Sequence, residues 1–234
     1  MSKGELYLIP NLLGEGDPKL YFGQELFSII KKLKYFIVES EKNARRYLIK
    51  LGIETPIDDL TFYTLNKHTD LNDLATFIKP MTNGIAMGLI SDAGCPGVAD
   101  PGAEIVKLAH IQNIPIRPLV GPSSILLGLM ASGFSGQSFA FHGYLPHDNS
   151  DRTKLLKQLE GRAKTEKQTQ LFIETPFRND KLIDELIKTL HKETMLCVAV
   201  DLTLESETII SKPISEWKKN RASFHKRPAI FLLF

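Results

Sequence analysis

The segment 91–102 has the composition of a loop that holds a ligand. Its sequence, Ser-Asp-Ala-Gly-Cys-Pro-Gly-Val-Ala-Asp-Pro-Gly, combines three glycines, two prolines and two carboxylates. Glycine lets a ligand approach the backbone closely, and proline fixes the bends of the chain. An ordinary connection from a strand to a helix takes about 2 to 6 residues, whereas this segment has twelve. The sequence therefore favours a binding loop over a plain turn.

The motifs of several other enzyme classes are missing from the chain. It contains no Gly-x-x-x-x-Gly-Lys-Ser/Thr loop, no Gly-x-Ser-x-Gly elbow and no His-Glu-x-x-His motif. After the first apolar run comes Gly14 to Pro18, a Gly-Glu-Gly-Asp-Pro turn rather than a Gly-x-Gly-x-x-Gly fingerprint. Cysteine and histidine do not cluster at metal-ligand spacing, so we expect no metal.

The composition predicts a soluble protein of the cytoplasm. The 234 residues are 43% apolar and carry a net charge of +2, which neither demands nor excludes a nucleic-acid partner. No run approaches the roughly 20 apolar residues of a membrane span, and no apolar signal region precedes the first strand-like segment. The two cysteines, Cys95 and Cys197, lie far apart, which fits a reducing compartment.

The elements that position the loop alternate between strand and helix. An apolar run from Ile85 to Ile90 precedes the loop, and Glu104 to Gln112 follows it with helical spacing. Such alternation predicts a parallel sheet with crossover helices, whose ligands bind beyond the carboxyl ends of the strands. The other predicted strands of this half are Glu5 to Pro10, Tyr35 to Val38 and Pro115 to Leu119, and the other helices are Glu25 to Lys34, Asn43 to Leu51 and Asp70 to Ile78.

The character of the chain changes near Leu119 to Gly121, so we expect two α/β domains, residues 1–119 and 120–234. Ser123 to Ser132 is small and apolar, which is typical of a tightly packed helix. Two further helices are expected at Arg152 to Lys167 and Lys181 to Leu190. The strands of this half are expected at Ser138 to Tyr144, Gln170 to Glu174, Leu196 to Asp201, Thr208 to Ile210 and Ala229 to Phe234.

Four motifs occur together in the chain. They are Ser-Asp-Ala-Gly-x-Pro-Gly-x-x-Asp-Pro-Gly at 91–102, Gly-Pro-Ser from Gly121, Gly-aromatic-Leu-Pro from Gly143, and Glu-x-Pro-x-Arg from Glu174. In these motifs the chain resembles the tetrapyrrole methylase superfamily of S-adenosylmethionine-dependent methyltransferases. Within it, the chain is similar to the branch that methylates a ribose 2′-hydroxyl of small-subunit ribosomal RNA. The resemblance covers essentially the whole chain, and the first motif is the specific one.

The resemblance implies a two-domain fold with a mainly parallel N-terminal sheet, a mixed C-terminal sheet and flanking helices. It also implies S-adenosylmethionine in the cleft between the domains, a homodimer, and ribosomal RNA or the small ribosomal subunit as partner. We expect no membrane partner. The positions that it implies for cofactor binding are Pro10, Asp92, Ala93, Gly94, Cys95, Pro96, Val98, Ser123, Ser124, Phe172, Ile173 and Pro228.

The methyl acceptor needs chemical help from the protein. A ribose hydroxyl keeps its proton at neutral pH, so a base or a stabilising cation must lie near it. The candidate catalytic residues are the carboxylates Glu174, Asp100 and Glu39 and the cation Arg178. Plainer roles stay open, because aspartates such as Asp100 often bind loop amides, and Glu174 and Arg178 can form a simple salt bridge. Cys95 has no adjacent histidine and is not a convincing nucleophile.

The chain departs from the family pattern on the acceptor side. Glu-Ser-Glu-Lys at 39–42 replaces Glu-Asp-Thr-Arg, Asp-Leu-Thr-Leu at 201–204 replaces Glu-Leu-Thr-Lys, and His147-Asp148 replaces basic residues. Two alternatives therefore stay open, a methyltransferase for a tetrapyrrole or other small molecule, and a cofactor-binding protein without catalysis. The basic segments 42–50, 152–167 and 218–227 favour RNA, unless they are ordinary solvated helix faces.

Overall fold

The chain divides after Ser123 into two compact units. The computed structural model describes residues 2–66, 69–70 and 73–234. Each unit has its own five-stranded sheet, and apolar residues are buried within each unit. No helix among the described residues is both long and apolar enough to cross a membrane.

The first unit is a parallel sheet with helices on both faces. Its elements in chain order are β1 (Leu6–Ile9), α1 (Gln24–Ile30), β2 (Tyr35–Val38), α2 (Glu41–Lys50), β3 (Thr61–Thr64), α3 (Leu74–Thr82), β4 (Met87–Ile90), α4 (Gly102–Ile111) and β5 (Ile116–Pro118). The strand order is β3-β2-β4-β1-β5, and every pair is parallel. The predicted parallel sheet is thus confirmed.

Alternating side chains of the strands supply two separate cores in the first unit. On one face, Ile9, Phe36 and Val38 pack with apolar residues of α1 and α2. On the other face, Leu6 and Ile37 pack with apolar residues of α3 and α4. Since both faces are covered, the central strands are apolar on both sides, which is why β4 has no polar residue.

The second unit is a mixed sheet, as expected. Its elements are α5 (Ser124–Ser132), β6 (Phe139–Tyr144), α6 (Asn149–Glu166), β7 (Thr169–Ile173), α7 (Asn179–Thr189), β8 (Met195–Val200), β9 (Thr208–Pro213), α8 (Ile214–Lys219) and β10 (Ala229–Leu233). The strand order is β6-β7-β10-β8-β9. Only β6 and β7 are parallel, and the other three pairs are antiparallel.

Helix α5 lies very close to this mixed sheet. A Cβ atom at Gly128 would stand 2.8 Å from the Cγ2 atom of Ile230, so only glycine fits there. The prediction of a tightly packed helix over 123–132 is confirmed. The physical reason is the small residues, which let the helix backbone approach the strands.

Several element boundaries differ from the predictions. Strand β3 and helix α8 were not predicted, because each is short and has a weak apolar pattern. Residues 71–72 of the helix predicted at Asp70 to Ile78 lie outside the described residues, and α3 continues to Thr82. Helix α6 begins at Asn149, three residues earlier than predicted, because Asp148 accepts hydrogen bonds from the amides of Ser150 and Asp151.

Candidate active site

Loops from neighbouring strands of the first unit meet at one edge of its sheet. The register pairs Ile9 with Ile90 and Val38 with Ile90, so the residues that follow β1, β2 and β4 lie side by side. The helices that follow β1 and β4 cover opposite faces of the sheet. These neighbouring strands therefore form a topological switch point, where open α/β sheets bind their ligands.

The loop 91–102 is held in shape by its own residues. Gly94 and Gly97 have φ angles of +68° and +82°, in the left-handed region that favours glycine. Both carboxylate oxygens of Asp100 accept a hydrogen bond from the Gly97 amide at 2.9 Å, and one accepts from the Gly102 amide at 2.7 Å. Asp100 thus performs the plainer role considered for it, that of holding loop amides.

Asn11 ties this loop to the end of β1. Its backbone amide donates to the Gly94 carbonyl at 2.8 Å. Its side-chain Nδ2 donates to the carbonyls of Ser91 at 3.0 Å and Asp92 at 3.1 Å. Asn11 was not among the predicted site residues, although a polar residue directly after a predicted strand is a usable signal.

Pro10 is fixed between the segment after β5 and helix α2. A Cβ atom at Gly121 would stand 2.3 Å from the Cβ atom of Pro10, so glycine is required for this approach. On the other side, the buried Tyr47 hydroxyl donates to the Pro10 carbonyl at 2.5 Å. Burial raises the pKa of Tyr47, which keeps the hydroxyl protonated as this donor. The Cys95 Sγ atom lies 3.5 Å from the Pro122 carbonyl, which brings the loop after β5 to the same place.

Carboxylates cluster where β2 and β4 end. Glu39 Oε1 accepts from the Asp92 amide at 3.1 Å, and Asp92 Oδ2 accepts from Asn43 Nδ2 at 3.1 Å. Burial raises the pKa of Glu39, and the negative charges of Asp100 and Asp92 add to this effect. Burial likewise raises the pKa of Asp100, while the loop amides oppose the increase. Both carboxyls therefore bind a proton more readily than an exposed acid does.

The thiol of Cys95 is unsuited to nucleophilic attack. Burial raises its pKa, so the reactive thiolate is disfavoured. Among the described residues, no group of three or more histidine, cysteine or acidic side chains is placed to hold a metal ion.

An open pocket of about 270 Å³ adjoins the switch point. One wall is the face of α2 that carries Asn43, Arg46, Tyr47 and Lys50. The opposite wall consists of residues 11–15 after β1 and residues 92–93 after β4. The pocket thus extends the site along α2, and its lining combines charged and polar side chains with the apolar Leu12 and Leu13.

In the second unit, Glu174 and Arg178 form an ion pair at the end of β7. Glu174 Oε1 accepts from Arg178 Nη2 at 2.5 Å and from the Thr175 amide at 2.6 Å, and the Glu174 side chain is buried. Arg178 Nη1 also lies 2.5 Å from His147 Nδ1, which therefore accepts this hydrogen bond. The salt bridge considered from sequence is present, with His147 as an additional partner.

This contact brings two of the weaker motifs together. Arg152 Nη1 donates to the carbonyls of Pro146 at 2.7 Å and His147 at 3.0 Å, which fixes the turn after Gly-aromatic-Leu-Pro. Arg152 is itself buried and pairs with Glu185 at 2.6 Å. His147 thus joins this turn to the Glu-x-Pro-x-Arg segment of Glu174. Both motifs are recognisable in the sequence, but their contact in the fold was not predicted.

The other predicted cofactor positions differ in exposure. Phe172 is fully buried and stacks on Phe231 with ring centroids 5.8 Å apart, so its side chain belongs to the core. Pro228 is exposed, and its carbonyl accepts from the Asp201 amide at 2.9 Å. Partly exposed positions are Ile173, Ser123 and Ser124, while Ala93 and Val98 are exposed. Pro96 is buried in the loop.

Comparison with known proteins gives a family context to this geometry. No family model matches the chain. Two proteins named ribosomal RNA small subunit methyltransferase I match nearly all of it. The one from Leptospira biflexa is 29% identical over 233 residues, which cover 99% of this chain and 91% of that protein. The one from Vibrio cholerae is 27% identical over 212 residues, which cover 90% of this chain and 69% of that protein.

The chain is a methyltransferase homologous to these proteins. Its fold is that of the tetrapyrrole methylases, as two solved structures show. The methyltransferase CobJ superposes with a TM-score of 0.64 at 16% identity, over 98% of this chain and 93% of that one. A uroporphyrin-III C-methyltransferase from Thermus thermophilus, complexed with S-adenosyl homocysteine, superposes with a TM-score of 0.54 at 14% identity, over 98% of this chain and 97% of that one. The resemblance drawn from the motifs is confirmed.

Proposed function

We propose that this methyltransferase transfers a methyl group from S-adenosylmethionine to a ribose 2′-hydroxyl of small-subunit ribosomal RNA. The observation that carries the proposal is the similarity, over 90% or more of the chain, to the two relatives named for that RNA. The site in the first unit supports it, because its loops converge at the edge of a parallel sheet where ligands bind.

The residues of this edge fit S-adenosylmethionine. Gly94 and Gly97 take positive φ angles that favour glycine, and Gly121 has no room for a Cβ atom beside Pro10. Loops of this kind, rich in glycine and proline, suit a zwitterionic ligand that is bound by backbone amides and carbonyls. The residues that would hold it in this unit are Pro10, Asp92, Ala93, Gly94, Cys95, Pro96, Val98 and Ser123. The neighbour crystallised with S-adenosyl homocysteine supports the same choice of cofactor.

The chemical work of the chain is to position the acceptor and take its proton. S-adenosylmethionine, when bound, supplies a methyl group that its sulfonium already activates. The protein therefore needs no covalent step, and its rigid loops orient the acceptor and exclude water. We assign proton acceptance to Glu39 rather than Asp100, because Asp100 uses both oxygens to hold its loop. Glu39 receives a single amide hydrogen bond, at Oε1.

Glu174 and Arg178 are proposed to act on the acceptor side. If Glu174 serves the acceptor, Glu174→Gln slows turnover more than it weakens cofactor binding. Because Gln keeps an oxygen for the Thr175 amide, the local turn is retained while the charge is lost. Steady-state kinetics and calorimetry with S-adenosylhomocysteine measure the two effects. Equal losses in both would assign Glu174 a structural role.

The alternative small-molecule activity makes a different prediction. A tetrapyrrole site needs an apolar cleft, whereas the pocket beside the switch point carries Arg46, Lys50, Glu15 and Asp92 in its wall. Binding to small ribosomal subunits that weakens steeply with added salt supports RNA as the substrate. Binding and methylation of a uroporphyrin-type ring, without binding of small ribosomal subunits, supports the tetrapyrrole as substrate. Tight cofactor binding without methyl transfer to either substrate supports a protein that has lost catalysis.

We further propose a cytoplasmic homodimer. Leu126 and Met130 lie one turn apart on α5 and are 53% and 78% exposed, which suits burial against a second copy. Sedimentation velocity should give twice the monomer mass, and Leu126→Glu with Met130→Glu should give the monomer mass. A monomeric wild-type protein would refute the dimer.

The decisive experiment is mass spectrometry of ribosomal RNA from cells that lack this protein. One missing ribose methyl group, restored by the wild-type gene and not by a Glu39→Ala variant, is the expected result. Unchanged RNA methylation would reject the proposed substrate.

A further inference from the structure

We infer that the pocket between α2 and the loops after β1 and β4 binds a backbone phosphate of the RNA substrate, with Arg46 as its ligand. The inference rests on the proposed function and names a contact that determines substrate affinity. Its starting point is the 270 Å³ pocket that Asn11 to Glu15, Asp92 and Ala93 form with one face of α2.

The helix presents a continuous polar face to this pocket. Asn43, Arg46, Tyr47 and Lys50 are three or four residues apart, so they lie on one side of α2. Tyr47 is buried and anchored to the Pro10 carbonyl, which fixes the rotation of the helix relative to the site. The position of Arg46 beside the pocket is thus set by a residue that also holds the predicted cofactor edge.

Arg46 is the cation of the pocket that lacks a protein partner among the described residues. The other cation, Lys50, pairs with Glu15 at 3.2 Å, and the Asp92 carboxylate accepts a hydrogen bond from the neutral Asn43 amide at 3.1 Å and keeps its charge. Within the described part of the chain, the Arg46 guanidinium makes no ion pair and no hydrogen bond. The Arg46 guanidinium therefore has free donors for an anion, and guanidinium matches phosphate through two parallel hydrogen bonds.

The neighbouring Arg45 shows the contrast. Its guanidinium pairs with Glu41 at 2.7 Å and with Asp58 at 3.2 Å, and it lies 5.1 Å from the ring centroid of Phe62. Two arginines adjacent in sequence thus point to different surroundings, one saturated by protein partners and one open to the pocket. Arg45 does not line the pocket.

The location of the pocket selects RNA as the source of the phosphate. Asp92 and Ala93 line the pocket and begin the loop that we assign to the cofactor. A polynucleotide whose ribose hydroxyl reaches that loop carries phosphates on both sides of the reacting nucleotide. A phosphate in the pocket would therefore orient the acceptor strand as well as add affinity.

The test compares Arg46→Gln with the matched control Arg45→Gln. The probe is the small ribosomal subunit purified from cells that lack this protein. We expect Arg46→Gln to weaken binding about tenfold and to reduce the slope of log K against log salt by roughly one. Arg45→Gln should stay within about twofold of the wild type, because its charge is already neutralised by partners. The affinity of Arg46→Lys for the subunit should lie between those of the wild type and Arg46→Gln, since lysine keeps the charge and lacks the planar guanidinium.

Calorimetry with S-adenosylhomocysteine separates the outcomes. Its affinity should be the same in the wild type and all three variants, which shows that the cofactor site is intact. If Arg46→Gln and Arg45→Gln weaken subunit binding equally, the inference is overturned. The proposed function still stands in that case, provided that the wild type methylates the subunits. A wild type that neither binds nor methylates subunits would reject both. If Arg46→Gln weakens the binding of uroporphyrin and leaves subunit binding unchanged, Arg46 binds a tetrapyrrole carboxylate and the inference is overturned.

Discussion

Asp100 and Glu39 lie at the same sheet edge and yet meet different surroundings. Asp100 accepts backbone amide hydrogen bonds through both oxygens, from Gly97 and Gly102. Glu39 accepts one amide hydrogen bond, from Asp92, and is partly buried beside other carboxylates. Asp100 therefore holds the loop, and Glu39 is the acid to which we assign the acceptor's proton. This difference gives each a distinct experimental signature.

Removal of the Asp100 side chain should loosen the loop 91–102. Asp100→Ala leaves the amides of Gly97 and Gly102 without their partner, so we expect the free energy of unfolding to fall by about 1–3 kcal/mol. The affinity for S-adenosylhomocysteine should fall at least tenfold, because the loop backbone loses its fixed geometry. Urea denaturation and calorimetry measure the two changes. The control Asp58→Ala removes an exposed acid and should change stability by less than about 1 kcal/mol. Equal effects of both variants would contradict the loop-holding role.

Glu39 should make stability depend on pH in a defined direction. Burial raises its pKa in the folded state, so the folded protein retains this proton where the unfolded chain has lost it. The stabilisation from the neutral carboxyl is complete below the unfolded pKa of about 4.3 and is lost as the pH rises through the folded pKa.

Glu39→Gln is neutral at every pH and keeps an oxygen for the Asp92 amide. Relative to the wild type, the variant should gain unfolding free energy at neutral pH, and the gain should disappear as the pH falls below about 4. Urea denaturation at a series of pH values measures this difference. A gain in unfolding free energy that grows as the pH falls would show that folding lowers the pKa of Glu39 instead of raising it.

At the scale of elements, the site depends on how closely loops approach one another. Gly121 follows β5 and touches Pro10, which follows β1, at a distance that excludes any Cβ atom. Tyr47 of α2 holds the same proline from the other side. The edge of the sheet is thus a packed arrangement of three segments rather than a set of independent loops.

Gly121→Ala should displace Pro10 and weaken cofactor binding. An added Cβ would stand 2.3 Å from a proline ring that cannot rotate away, so the backbone must shift. We expect at least a tenfold loss of affinity for S-adenosylhomocysteine, together with a loss of stability of about 1–3 kcal/mol. Gly136→Ala is the matched control, because a Cβ atom there meets nothing within 4 Å. Calorimetry on both variants decides the prediction, and an unaffected Gly121→Ala would contradict the proposed cradle.

At the scale of the whole molecule, ligand binding should be visible as stability. A ligand that binds only the folded state at about 100 times its dissociation constant adds about 2.7 kcal/mol. For a protein of this length we expect S-adenosylhomocysteine to raise the midpoint of thermal unfolding by roughly 5–10 °C. Differential scanning fluorimetry measures the shift, with adenosine monophosphate at the same concentration as the control ligand. An equal shift with both ligands, or none, would argue against the assigned cofactor.

The sequence already determined the fold class and the location of the main loop. The glycines and prolines at 91–102 restrict the local backbone, so they indicate a loop from the sequence alone. The spacing of apolar residues shows which side chains are buried, so it indicates the strands and helices. The sequence also left two roles open for Asp100 and for the pair Glu174 and Arg178. A choice between these roles needs the distances from each side chain to its neighbours, which the sequence does not contain.

Tertiary structure alone decided which residues meet. The bond from Asn11 to Gly94 joins residues 83 positions apart, and the contact of His147 with Arg178 joins two motifs that are weak when taken singly. Likewise, the two arginines of α2 are equivalent in sequence, and only their neighbours make Arg45 saturated and Arg46 open. Patterns along a chain report local conformation and burial, whereas contacts between distant residues depend on strand order and register, which no short segment encodes.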